Sequence, residues 1–415
     1  MQYLDLDLDL TDRERELRAA ARRFASDVLR PAAKRLDEMP ADRVVEANSP
    51  LYDVLRQAYR LGYHAIGISE ELGGQGLSPR ERHIVTEELG WGCSGLAIAI
   101  GVASFPSQAA ALSGNPGLIE AYVTPFVSDT EAKMIGCWGG TEPNHGSDFV
   151  ALGAPEHDTP KIIPDVRARR DGDQWVISGQ KSQWVSLGTI ATHALAFVSV
   201  DPQKGMSGNG ACIIPLLQLG VSKGPALNKL GQRPLNQGEV FFDDARIPSD
   251  HMLVGPDMYE MYIDGVLAMA NALMGATFTG VARAAFEEAL AYSKTRIQGG
   301  KPLCEHQLIQ KMLFEMFMKV EACRRLSRAA YCYNAVTIPP ATEYSIAAKV
   351  FCTQASLEVA STALQIHGGY GLSKEYLVEK LFRDARASLI EDGTNEVLGL
   401  TAARKLVARY GAIGN

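Results

Sequence analysis

Residues 381–397 read LFRDARASLIEDGTNEV, and how this stretch is read decides how the rest of the chain is read. An Arg- and Asp-rich helix end runs into a short apolar segment, followed by Ile390-Glu391-Asp392-Gly393-Thr394. The apolar segment carries the chain inward and delivers Asp392 at a Gly turn. A carboxylate placed that way can be desolvated and act as a proton acceptor. Taken alone the stretch has a plainer meaning, because most Asp-Gly pairs only cap or turn the backbone. The remaining residues decide between the two.

Composition narrows the field. The 415 residues are 46% hydrophobic and 21% charged, ample for a sizeable core and about two or three domains. The formal net charge is -7, the sequence pI is near 5.7, and Lys and Arg are dispersed. That balance argues against nucleic acid or an anionic membrane as the main partner. The seven cysteines are odd in number and contain no CxxC pair, which fits a reduced, cytoplasmic setting. The eight histidines show no metal-ligand spacing, so no metal is expected. The N-terminal MQYLDLDLDLTDRERE is acidic and lacks an apolar signal core. No apolar run approaches about 18 residues, so no membrane span is expected.

The chain divides by period. Residues 11 to about 36 predict a helix opened by the capping box Thr11-x-x-Glu14. Ser49-Pro50 and Ser78-Pro79 each place a Ser cap before a first-turn Pro. They predict helices to about Gly62 and about Leu89. Residues 94–112 are small and apolar and predict one buried helix, and Asn115-Pro116 opens another to about Val127. Glu71–Leu77 (ELGGQGL) lacks the Gly spacing and Lys of a phosphate loop and reads as a helix-linking turn. From about Met134 to Pro248 the pattern turns to β, with a hairpin predicted around Asp171-Gly172. Short β runs follow at 193–200, 211–215 and 238–242, after a polar loop at 153–164. From about Pro256 helical periodicity returns over roughly 257–295, 304–334, 341–366 and 373–388, an antiparallel bundle. The expected domains are 1–133 (α-helical), 134–250 (β) and 251–415 (helical bundle).

Three constellations stand out. Thr141–Asp148 (TEPNHGSD) is a turn-rich loop after a β segment, where hydroxyls and free N–H groups suit polar ring edges and phosphates. In Gly179–Ser186 (GQKSQWVS), Trp184 and Ser186 would share one face of a strand. Arg296 follows the first long helix of the bundle and Glu305-His306-Gln307 opens the next. By themselves these also fit a structural loop, a core Trp, and a charge on a helix dipole.

Together with the α, then β, then α-bundle order, these motifs resemble the acyl-CoA dehydrogenases from about residue 10 to 410. The resemblance implies an α+β fold with an N-terminal helical domain, a middle β-barrel-like domain and a C-terminal four-helix bundle. It implies FAD as cofactor, with Trp138, Gly140 and Thr141 along the flavin pyrimidine. Gly146 and Ser147 would meet the FAD pyrophosphate and the acyl-CoA. Trp184 would cover the flavin while Ser186 bonds its N5. Arg296 and Gln307, with Gln365, Gly368 and Gly369, would reach FAD across a subunit interface, in a homotetramer. Thr394 and Glu396 match positions near the cofactor.

For the substrate side, the residue before Gly-Thr is the family's base, commonly Glu and here Asp392. Glu391 stands where an aromatic is usual. Ser147, Glu391, Gly393 and Asn271 are the expected substrate contacts. Asn271 takes the place of a frequent Arg, Ala270 is not the Glu that some relatives use as base, and Gly399 replaces another frequent Arg. The implied reaction is α,β-dehydrogenation of an acyl-CoA thioester, with hydride passing to flavin N5 and an electron-transferring flavoprotein as acceptor. The shorter Asp suggests a bulky, branched or alicyclic acyl group. Nitroalkane oxidases share the fold and an Asp base, which leaves a flavin oxidase as the alternative. They keep the Arg that is Gly399 here.

Overall fold

The computed structural model describes residues 6–409. Its N-terminal third is helical, and the caps start the helices where the sequence places them. In α1 (Asp12–Phe24) the Thr11 hydroxyl accepts from Glu14 N–H and the Glu14 carboxylate accepts from Thr11 N–H. The rod continues through one wider turn, where Arg30 N–H bonds Ala25 C=O, into α2 (Arg30–Glu38). Next, α3 (Pro50–Arg60) starts at Ser49 and stops before Gly62, whose φ of 75° no helix continues. The second capping box, Ser78 with Glu81, starts α4 (Pro79–Gly92). The single helix expected over 94–112 is two: α5 (Ser94–Val102) and α6 (Phe105–Ser113). Pro106 lacks the N–H that would bond Val102 C=O, so the helix must restart.

The middle of the chain forms an eight-stranded sheet. Its strands are β1 (Gly136–Gly139), β2 (Arg167–Asp171), β3 (Gln174–Lys181), β4 (His193–Ser199), β5 (Asn209–Pro215), β6 (Val221–Lys223), β7 (Val240–Pro248) and β8 (Met252–Val254). The order is β6-β7-β3-β2-β4-β5-β8, with β1 parallel to β4. The predicted hairpin joins β2 to β3: Asp171 pairs with Gln174 across Gly172-Asp173, and Gly172 has φ 62°. Every residue of β4 is buried, as a strand covered on both faces must be.

The C-terminal helices are α7 (Pro256–Thr295), α8 (Gln307–Asn334), α9 (Thr342–His367), α10 (Leu377–Ser388) and α11 (Asn395–Arg409). The helix α7 is the axis, packed on α4, α8, α9 and α10. The last helix, α11, lies beyond the segments predicted from periodicity. The expectation that no apolar run approaches about 18 residues is corrected here. Two stretches, Ser94–Ser113 and Pro256–Thr295, are long and apolar enough to cross a membrane. Both are mostly buried against other elements, which accounts for their all-round apolar character.

A buried ionic cluster ties the first helices to the bundle. Glu87 and Glu88 on α4 are each 2% exposed. Arg283 of α7 reaches Glu87 at 3.0 Å and Glu88 at 2.7 Å, and Arg324 of α8 reaches Glu87 at 3.0 Å. Burial alone would raise the Glu87 pKa, but Arg324 and Arg283 outweigh it and hold the carboxylate well below its usual range.

Candidate active site

The turn after α10 is built by consecutive left-handed residues, Asp392 at φ 55° and Gly393 at φ 98°. Asp tolerates that region better than most residues and Gly enters it freely. Four contacts fix the turn. Thr394 N–H donates to Ser147 Oγ at 3.0 Å. Lys349 Nζ donates to Gly393 C=O and to Asn395 Oδ1, both at 2.8 Å. Gln232 Nε2 donates to Glu391 Oε1 at 2.5 Å. Beside it, Gln232 N–H donates to Asp384 Oδ1 at 2.5 Å. The loop from the β domain docks here without clearance: a Cβ on Gly231 would lie 2.2 Å from Arg383 C=O and 2.9 Å from Asp384 N.

This turn forms part of the wall of a cavity of about 650 Å³ between the β domain and the helices. Trp138, Gly140, Thr141, Gly146 and Ser147 border it from one side. Trp184 and Ser186 border it from another, and Glu391, Asp392 and Gly393 join them from the turn. Thus segments far apart in sequence converge on one space. A second cavity, of about 840 Å³, lies at the end of α7 and is lined by Arg296, Gln365, Gly368 and Gly369.

Other expected residues stand elsewhere. Asn271 is fully buried in α7 and donates to Leu267 C=O at 2.9 Å; its neighbour Ala270 lines the cavity instead. Thr394 caps α11, accepting from Val397 N–H at 3.4 Å, and Glu396 is exposed in that helix's first turn. Gln307 begins α8 as expected but is exposed outside the wall of the second cavity, where His306 and Leu308 stand. Trp184 and Ser186 are not on a regular strand: β3 ends at Lys181, and Ser186 only bridges to Gln237. The wholly buried Val185 between them still leaves both flanking side chains toward the cavity.

The structure adds polar residues that the sequence did not single out. Lys181 Nζ, buried, donates to Glu142 Oε1 at 2.7 Å, Gly140 C=O at 3.2 Å and Phe197 C=O at 2.6 Å. It thereby locks the 140–148 loop onto β4. Gln237 Nε2 donates to Trp184 C=O at 3.1 Å and to Ser186 Oγ at 3.3 Å, and Lys229 Nζ donates to Gln237 Oε1. Among the described residues, two side-chain groups converge closely enough to hold a cation, which no linear spacing indicated. In the first, Glu142 and His145 are already committed, to Lys181 and to Asp148 and Ile163. The second, His157 with Asp158 and Glu260, is acidic and mostly exposed.

Electrostatics sharpen the turn. Asp392 is exposed and forms part of the cavity wall. Burial raises its pKa, and the Lys349 cation opposes the rise. Burial, reinforced by the Asp392 charge, pushes Glu391 up to about 7. Burial brings Lys349 down to about 8, against the pull of Asp392 and Glu391, so it remains a cation at neutral pH. The Asp392 and Gly393 N–H groups make no hydrogen bond among the described residues. A carboxylate and free backbone donors thus meet at one wall of the cavity, an arrangement suited to removing a weakly acidic C–H proton while stabilising the anion formed.

Comparison with known proteins places these features. Family models match along the chain: the acyl-CoA dehydrogenase N-terminal domain over 11–130, the middle domain over 137–245 and the C-terminal domain over 261–407. The short-chain specific acyl-CoA dehydrogenase of Rattus norvegicus mitochondria is 30% identical over 405 residues, covering 97% of this chain and 92% of that protein. The structure of butyryl-CoA dehydrogenase from Megasphaera elsdenii superposes with a TM-score of 0.84 at 27% identity, over 98% of this chain and 100% of that one. A nitroalkane oxidase, an active-site Asp-to-Asn mutant crystallised with 1-nitrooctane, gives a TM-score of 0.86 at 22% identity over 98% and 97% of the two chains. The last shows likeness of fold.

Proposed function

Because the chain belongs to the acyl-CoA dehydrogenase family, we propose that it oxidises an acyl-CoA thioester between the α and β carbons with Asp392 as the base. Members of the family are FAD-dependent oxidoreductases. The residues present fit that cofactor. Arg296 has no carboxylate partner among the described residues, and the space beside Gly368 and Gly369 is open to 4 Å. Trp184 is 50% exposed at the first cavity, an uncovered aromatic face. When bound there, FAD supplies the acceptor for the hydride that leaves the β carbon.

The rest of the chemistry belongs to this chain. A thioester α-hydrogen is far too weakly acidic for a free carboxylate, so the site must stabilise the enolate as it forms. The unpaired N–H groups of Asp392 and Gly393 are donors for the thioester oxygen, and the Asp392 carboxylate accepts the α-proton. Lys349 holds Gly393 and Asn395, and Gln232 holds Glu391, so the turn needs little reorganisation as charge moves. The carboxylate and its own N–H, together in one cavity wall, are the observation that carries this reading. An anaerobic screen of acyl-CoAs, following loss of flavin absorbance, tests it.

One further observation favours a second reading: the base position is Asp, and a nitroalkane oxidase of this fold has an active-site Asp. Oxygen consumption with nitroethane, and no bleaching by any acyl-CoA, would establish it instead.

The proposal includes an electron-transferring flavoprotein as acceptor and, with all seven cysteines free, a reducing cytoplasmic setting. Two further outcomes are expected. The purified protein is yellow, and Arg296→Ala lowers FAD retention on gel filtration by at least about 10-fold, the scale of one lost charge-assisted contact. A colourless protein that takes up no added FAD would contradict the cofactor assignment. The second cavity is completed by another subunit in a homotetramer, so light scattering gives about four times the 44.9 kDa chain mass. A monomer mass with FAD bound would exclude that assembly.

A further inference from the structure

The first cavity does not end near Asp392. It runs between α4, α5 and α7, following Ala270, Leu273, Met274 and Thr277 along one face of α7. The rise along the helix from Ala270 to Thr277 is about 10 Å. On the facing helix, Gly101 lines the passage, and no atom lies within 4 Å of where its Cβ would be. The absence of a side chain there keeps the space open beyond the reacting carbons.

The same cavity is lined by Arg82, from α4, and Tyr331, from α8, the latter packed on Ala272 and Ala276 of α7. Arg82 has no carboxylate partner among the described residues, whereas Arg80 on the same helix pairs with Asp9 at 2.8 Å. Arg82 Nε is buried with no hydrogen-bond partner. The neighbouring Tyr331 lies close enough to feel the Arg82 charge, and its hydroxyl makes no hydrogen bond among the described residues. A guanidinium with a buried, unpaired donor is costly in a mostly apolar channel unless an anion completes it. Its planar fork matches a carboxylate.

We propose that Arg82 and Tyr331 form a subsite for a carboxylate at the distal end of the acyl chain, so that the preferred substrate is the CoA thioester of a dicarboxylic acid. This inference rests on the dehydrogenase reading and specifies its substrate class. Chain length is set by the distance from Asp392 to Arg82, so activity passes through an optimum as methylenes are added. The carboxylate takes no part in the reaction; it anchors the chain, and that anchoring holds the reacting carbons in register.

The test uses the FAD-loaded protein and two ladders of thioesters. One ladder carries a free terminal carboxyl, from glutaryl-CoA upward; the other consists of straight-chain acyl-CoAs of the same lengths. Anaerobic bleaching is expected to favour the carboxyl ladder at its optimum by about 30-fold or more, the scale of a charge-assisted hydrogen bond in a dry site. Arg82→Met should abolish that preference and leave straight-chain turnover the better of the two, while Arg82→Lys should retain part of it. Perturbation of the flavin spectrum on ligand binding reports the same preference without turnover. If straight-chain acyl-CoAs bleach the wild-type flavin as well as their carboxyl counterparts, or Arg82→Met leaves the discrimination unchanged, the subsite is refuted and the dehydrogenase reading stands. If no thioester of either ladder bleaches the flavin, both fall.

Discussion

Asp392→Asn is expected to slow flavin bleaching by about 10²–10⁴-fold, the range a positioned general base supplies, with FAD and ligand binding retained. Glu391→Gln should lose less than about 10-fold, because its side chain is already engaged by Gln232. The pH dependence separates the two further. A base works in its ionised form, and burial raises the Asp392 pKa. The ascending limb of the rate therefore lies above the ordinary Asp value of about 3.9. Lys349 favours the charged carboxylate, so Lys349→Met should move that limb to higher pH. Glu391 is pushed up to about 7 and is therefore already neutral along that limb, so Glu391→Gln should leave it in place. Rapid-mixing measurements across pH would show the displacement in one variant and its absence in the other. If Glu391→Gln abolished bleaching and Asp392→Asn did not, the base would be the neighbouring residue.

The largest effect on stability should come from Glu87→Ala. The substitution strips the shared carboxylate from the buried Arg283 and the half-buried Arg324, leaving them Glu88 and Glu321 respectively. Breaking a buried pair on one side costs about 3–5 kcal/mol. Urea unfolding followed by far-UV circular dichroism would read the loss, and a change below about 1 kcal/mol would show that the cluster is readily rehydrated. Acid should mimic the mutation. The folded-state pKa of Glu87 is depressed below its ordinary 4.5. The stabilisation is therefore complete above that value and is lost as pH falls toward the lower folded-state value. Glu87→Gln should flatten that part of the profile.

The local signals carried much of the architecture. Thr11, Ser49, Ser78 and Asn115 each cap the helix that their sequence context predicted, because a capping hydroxyl or amide acts within four residues. The Asp171-Gly172 hairpin formed for the same reason. The break at Phe105-Pro106 was also written locally, yet the uniform apolar composition of 94–112 hid it. The wall of the first cavity was legible through motifs: the 141–148 loop, Trp184-x-Ser186 and the turn at Asp392. What neighbouring residues could not disclose was pairing across the fold. Lys349 lies more than forty residues before the turn it holds. Lys229 and Gln237 belong to a loop without regular structure. Asn271 shows the converse error: a helix face turns by 100° per residue, so a position adjacent to the wall points into the core. Arg82 belongs to no local motif, and only the cavity shows what it lacks.

The docking of Gly231 on the backbone of Arg383 and Asp384 has a consequence for how this enzyme can diversify. A loop that lines the first cavity rests directly on the helix that leads to the Asp392 turn. Residues around it are free to drift, but any side chain gained at that one position would push on the main chain two turns before Asp392. Lineages that retune substrate choice, and laboratory libraries that imitate them, should therefore accept variation at cavity-facing positions such as Gly101 and reject it at Gly231. There a methyl group would shift the reacting carboxylate without touching it.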